Sequence, residues 1–324
     1  LLESSSDVAV LDSKRPDPTL PGGLGIFLAI LGVLALVRIA LGYVVVPTQW
    51  MASVNIVVTC LFLAGPILGL FFAANHRWNP KLAVGILIAG VAIQGTTIAL
   101  LQQPGNAPIV VNLATAFGQI GLALWSVGLG ALLGTMLKEK NLLLPVAIFL
   151  AIFDMFLVFS PVGPTQAIMK ANPKVLPTIA AQIPSVADRP TGGIVQPSAF
   201  VGPADFIFLA MFFIAIFRFE MRSRPTLIWT IPTLLLYLAV VLIARIPLPA
   251  LLPIGAVVLI VNWREFDLSR DEKLSTAVVA ALGIALLIWG VTRPRPAPPV
   301  EPSSESASPK SQGSEGTPGP LVPN

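Results

Sequence analysis

The stretch LLLPVAIFLAIFDMFLVFSP, residues 142–161, holds one carboxylate, Asp154, in an otherwise uncharged run. At about 1.5 Å of rise per residue, a helix over 142–160 is roughly 28 Å long, close to the hydrocarbon thickness of a bilayer. Such a run can cross only as a helix, because no water is present to satisfy an open backbone. Eight further apolar runs, 24–46, 53–74, 81–101, 109–137, 203–219, 226–245, 248–263 and 274–291, read the same way. The run at 248–263 is short and interrupted by proline, and it is the weakest of the nine. The predicted fold class is therefore all-α, a polytopic transmembrane bundle of about nine helices. Composition agrees: of 324 residues 55% are hydrophobic and only 11% charged, and the mean hydropathy is +0.84, which places the chain among integral membrane proteins.

Around this core the chain divides into a polar N-terminal tail (1–22), N-terminal transmembrane helices (23–141), a central region (142–263) with a long loop at 161–202, an additional C-terminal helix (264–291) and a Pro/Ser/Glu-rich tail (292–324) expected to be disordered. The start has no Met and does not resemble a signal peptide, so the chain reads as a fragment or a processed form. The net charge of +4 does not indicate a nucleic-acid partner, since the basic residues lie between apolar runs, where they set topology. Placing the N-terminal tail in the cytoplasm gathers Arg77, Lys81, Lys138, Lys140, Arg218, Arg222, Arg224, Arg264, Arg270 and Lys273 on the same side and puts loop 161–202 outside. His76 is the only histidine and Cys60 the only cysteine, which disfavours a His-ligated zinc, a Ser–His pair and an intramolecular disulfide. No phosphate-binding glycine loop occurs in a suitable context, and no metal or organic cofactor is implied.

Fourteen of the sixteen carboxylates fall in tails or connections; Asp154 and Asp205 alone interrupt apolar runs. An ionisable group there costs at least about 2.5–3.5 kcal/mol, so its default reading is functional, with a partner nearby. Asp154 precedes Ser160 by six positions, about 9 Å from the end of its span. Asp205 opens the next span from the same side. Gly202 and Pro203 just before it predict an irregular, closely packed backbone. Two carboxylates that meet in a low-dielectric site share a proton. The ionised partner can then take a proton from water while the protonated one donates to a scissile carbonyl. The same pair could serve a proton-coupled transporter or channel as a relay, or each could be held structurally by Ser, Thr or backbone groups.

Three segments carry a resemblance. Phe153-Asp154 on one apolar run, Gly202-Pro203-Ala204-Asp205 on the next and Pro249-Ala250-Leu251 on a later one resemble, in order, the three-part signature of the presenilin and signal peptide peptidase family of intramembrane aspartyl proteases. The residues flanking the first two, SPVGP and DFIF, resemble the presenilin branch. The resemblance implies an intramembrane-cleaving aspartic endopeptidase with Asp154 and Asp205 as catalytic pair, acting on transmembrane peptide or protein substrates, with Pro249, Ala250 and Leu251 facing the substrate. It leaves accessory subunits open. The chain departs from the family at Ala204, where the pattern has glycine, and at Phe153, where it has tyrosine. Four spans precede Asp154 where the family has five, and one run follows the Pro-Ala-Leu segment. A catalytically inactive relative is the corresponding alternative.

Other polar residues in the spans have plainer expectations. Arg38 is expected to snorkel or pair inside the bundle. Gln94, Asn112 and Gln119 are expected to bond between helices. Phe206, Phe208, Phe212 and Phe213 are expected to pack against lipid and neighbouring helices. The apolar centre of loop 161–202, VLPTIAAQIPSV, is expected to lie at the membrane interface, with a loop that covers the site or is itself cleaved as the alternative.

Overall fold

The computed structural model describes residues 22–160, 176–189, 191–244 and 248–292; both predicted tails, but for Gly22 and Thr292, and the first part of the long loop lie outside the described residues. Among the described residues nine helices of eleven residues or more follow the nine apolar runs: α1 (Gly23–Leu41), α2 (Thr48–Ala74), α3 (Pro80–Leu101), α4 (Pro108–Met136), α5 (Leu143–Phe159), α6 (Pro203–Arg218), α7 (Ser223–Ala244), α8 (Leu251–Val261) and α9 (Arg270–Val291). Seven of them are long and apolar enough to cross a membrane. The protein is a multi-pass integral membrane protein of nearly all-α structure.

Local chemistry sets the helix starts. Pro80, Pro108 and Pro203 occupy first-turn positions, where a missing N–H costs nothing. Asn79 caps α3 by accepting from the Leu82 N–H at 2.8 Å, and Ser269 and Glu272 form a reciprocal capping box at α9. Small residues then let helices close. A Cβ on Gly121 of α4 would stand 2.7 Å from the Gln94 backbone nitrogen of α3, and one on Gly130 would stand 2.6 Å from the Ile207 carbonyl of α6. Where water supplies no drive for helix association, such backbone approach is what holds spans together.

α6 is the centre of the bundle. Leu209 through Ile216 are all buried, as a helix apolar on every face requires. Phe71 of α2 meets Phe213 edge to face at 5.5 Å. Phe206, Phe212 and Phe213 are buried, so these three face protein and not lipid. α5 stands to one side, packed by α8 and α9: Gly255 of α8 lies against the Ala147 backbone, Gly283 of α9 against Ile152, and the Ser160 hydroxyl donates to the Gly290 carbonyl at 3.2 Å.

The described part of the segment expected at the membrane interface is packed against the helices. After a helical turn at Leu176–Ile179, strands β1 (Ala181–Pro184) and β2 (Pro197–Val201) form an antiparallel hairpin, with Ala181 opposite Val201 and Gln182 opposite Phe200. Ala180, Ile183 and Val186 are buried. The hairpin is inserted among the helix ends, and side chains of the spans satisfy its backbone. Asn55 of α2 accepts from the Val186 N–H at 2.9 Å and Gln119 of α4 from the Gln182 N–H at 3.0 Å, while Gln94 of α3 donates to the Thr178 carbonyl at 3.2 Å. Gln119 therefore bonds to this segment, while Gln94 divides between it and the helix-to-helix contact expected of it. Gln94 also accepts from the Trp125 indole, and Asn112 joins α4 to α1 by donating to the Ile39 carbonyl at 3.2 Å. Non-helical backbone beside membrane-spanning helices is tolerated where it is enclosed in protein in this way.

Candidate active site

Asp154 sits in the second-last turn of α5 and Asp205 in the first turn of α6. Both line one cavity of about 240 Å³ walled by α2, α5, β2, α6, α7 and α8. The walls are mostly apolar, with Leu63, Ile67, Leu209 and Leu234 among them, and they include Gly202, the first residue of the second signature, and Ala250, the middle residue of the third.

Each carboxylate is steadied by a helix start. Asp154 Oδ2 accepts from the backbone N–H of Leu251, the first residue of α8, at 2.8 Å. Asp205 Oδ2 accepts from the N–H of Gly202, the N-cap of α6, at 3.2 Å. Both bonds satisfy donors that a helix N-terminus leaves open. They also aim the positive ends of two helices, α6 and α8, at the space the carboxylates share, an arrangement that favours negative charge there. Pro249 makes the bond from Leu251 possible, because it breaks the chain before α8 and leaves its first turn free to face Asp154.

Tyr237 on α7 completes the wall. Its hydroxyl donates to the Pro249 carbonyl at 2.7 Å and its ring side lines the cavity. The Pro-Ala-Leu segment is thus clamped from both ends, by Tyr237 at Pro249 and by Asp154 at Leu251. Tyr237 was absent from the sequence reading. Both tyrosines of the chain, Tyr43 and Tyr237, fall within apolar runs, so the sequence carries no signal that singles out Tyr237.

The remaining signature residues are placed as follows. Phe153 turns away from the cavity and stacks between Phe149 and Phe156, with ring centroids 5.6 and 6.3 Å away. Gly202 has extended backbone, and a Cβ there would meet only Asp205 Oδ2, at 3.3 Å. It does not serve a close helix–helix contact, contrary to the expectation drawn from the Gly-Pro pair. Pro203 and Ala204 form the first turn of α6 and are half-buried. Among the described residues no group of three or more His, Cys, Asp or Glu side chains is placed to hold a metal ion.

The chain matches no protein-family model, no curated protein and no solved structure. Its functional reading rests on its own residues and their geometry.

Proposed function

We propose that the protein is an intramembrane aspartyl protease in which Asp154 and Asp205 activate water against peptide bonds of transmembrane substrates. The observation that carries this reading is the convergence of both aspartates and the Pro-Ala-Leu segment on one cavity, with Leu251 donating to Asp154. One carboxylate, ionised, removes a proton from a water that attacks the scissile carbonyl carbon. The other, protonated, donates to the carbonyl oxygen. Collapse of the resulting gem-diol breaks the C–N bond, the amine leaves with a proton, and the pair returns to its singly protonated state. Stabilisation of the ionised partner comes from the two helix starts, which are fixed before substrate arrives and cost no reorganisation during reaction.

Substrate must enter as extended chain, because a helix hides its carbonyls in its own hydrogen bonds. The apolar wall suits the side chains of an unwound transmembrane segment. A proton relay would need onward carriers, and apart from the two aspartates and Tyr237 the described lining residues carry no titratable side chain. Independently of the dyad, we place the N-terminal face in the cytoplasm, since the basic residues of the α2–α3, α4–α5, α6–α7 and α8–α9 connections collect there. The test is cleavage of single-span peptides by the reconstituted protein and by Asp154→Asn and Asp205→Asn: both variants, folded, are expected to yield no product. Undiminished cleavage by either would overturn the dyad.

A further inference from the structure

Arg38 lies three residues before the end of α1 and is only 2% exposed. Among the described residues no carboxylate is paired with it. Its Nη2 donates to the Gln182 side-chain oxygen of β1 at 2.7 Å, its Nη1 reaches the Gln182 carbonyl at a long 3.4 Å, and its Nε–H has no partner. A guanidinium offers five N–H donors and a full positive charge. Two neutral oxygens from one glutamine leave both underserved. A buried charge without a counter-charge is among the most costly groups a bundle can hold.

Beside this guanidinium is a cavity of about 50 Å³, lined by Arg38, Gln119 and Gln182 and otherwise by apolar side chains such as Leu34, Phe62 and Ala116. It is distinct from the dyad cavity, though Val201 and Phe206 border both. The space suffices for a few waters or one small ion. Waters would hydrogen-bond but would not neutralise the charge, and the mostly apolar wall offers them few partners. A monovalent, weakly hydrated anion satisfies both demands.

We propose that this cavity is a halide-type anion site in which Arg38 supplies the charge and the anion completes the anchoring of β1 to α1. The anion neutralises Arg38 where no carboxylate does, and it thereby strengthens the attachment of the hairpin that leads through β2 into Gly202 and Asp205. Its occupancy does not depend on the proteolytic reading, and its readouts need no substrate.

The test uses the purified full chain in detergent, with thermal unfolding measured in sodium chloride and in sodium gluconate at equal ionic strength, and crystals grown in bromide to locate the ion by anomalous scattering. Chloride is expected to raise Tm by about 2–4 °C over gluconate, and bromide to give a peak against the Arg38 guanidinium. Replacing Arg38 itself risks the fold, so the informative variant is Gln182→Glu, which places a carboxylate at the same 2.7 Å position. It is expected to fold, to lose the bromide peak and to unfold at the same temperature in both salts. Equal Tm values for wild type in the two salts with no peak at Arg38, meaning waters alone fill the cavity, would overturn the site. So would a chloride effect of the same size in Gln182→Glu.

Discussion

Asp154 and Asp205 each close a helix start as well as facing a shared cavity, so replacing either by asparagine tests chemistry with little structural confounding. Asn keeps the side-chain oxygen that accepts from Leu251 or Gly202 and removes only the charge and the transferable proton. Both variants are expected to retain the wild-type unfolding temperature within a few degrees while product formation falls below detection. Alanine at Asp154 is different: it leaves the Leu251 N–H without its acceptor, at a cost of about 1–3 kcal/mol, and is expected to lower Tm as well as activity. Tyr237→Phe deletes the bond to the Pro249 carbonyl while keeping the ring. It is expected to slow cleavage about tenfold, the effect of roughly 1.4 kcal/mol lost from positioning. An unchanged rate in Tyr237→Phe would show that the clamp on Pro249 is dispensable.

The elements differ in how far they could be read from the chain. Nine apolar runs became nine helices because each span must satisfy its own backbone, a constraint local to the run. Even the doubtful run at 248–263 holds a helix, shortened to Leu251–Val261 because Pro249 ends the chain's regular path before it. That Asp154 and Asp205 line one cavity was legible for a similar reason: two isolated carboxylates in apolar runs, separated by one loop, have few other places to go. The hairpin was not legible. Its strands are four and five residues long, and the side chains that receive it, Asn55, Gln94 and Gln119, lie 131, 84 and 63 positions away along the chain. Polar residues in spans signalled hydrogen bonding without naming a partner. The account predicts that Asn55→Leu and Gln119→Leu, which orphan the Val186 and Gln182 N–H groups, each destabilise the hairpin by about 1–3 kcal/mol. Hydrogen exchange is expected to accelerate about 5- to 150-fold at residues 181–186 and to stay unchanged in the interior of α6. Equal acceleration in both places would mean that the hairpin is not a separable unit.

At the scale of the whole molecule the structure has two unlike faces. One carries the hairpin, held to the α1–α2 connection through Val46 N–H to Ala187 carbonyl at 3.1 Å and Thr191 hydroxyl to Gly42 carbonyl at 3.2 Å. The other carries the basic connections, tied by Asn141 to Glu272 at 2.9 Å and Arg222 to Glu265 at 3.3 Å. The proposed orientation puts the basic face in the cytoplasm. In a Cys60→Ser background, a cysteine at Lys140 is expected to react with an impermeant maleimide only after the membrane is opened, and one at Arg189 in intact cells. The reverse pattern would invert the topology and leave the dyad unaffected.

The central claim is that two carboxylates and a Pro-Ala-Leu segment meeting in one intramembrane cavity constitute a protease. Its most direct test is mass spectrometry of products formed when wild type, Asp154→Asn and Asp205→Asn are reconstituted with a panel of single-span peptides. The account predicts peptides cut within their apolar stretch by the wild type and no cut by either variant. Intact peptides throughout, from wild-type protein shown to be folded, would contradict it.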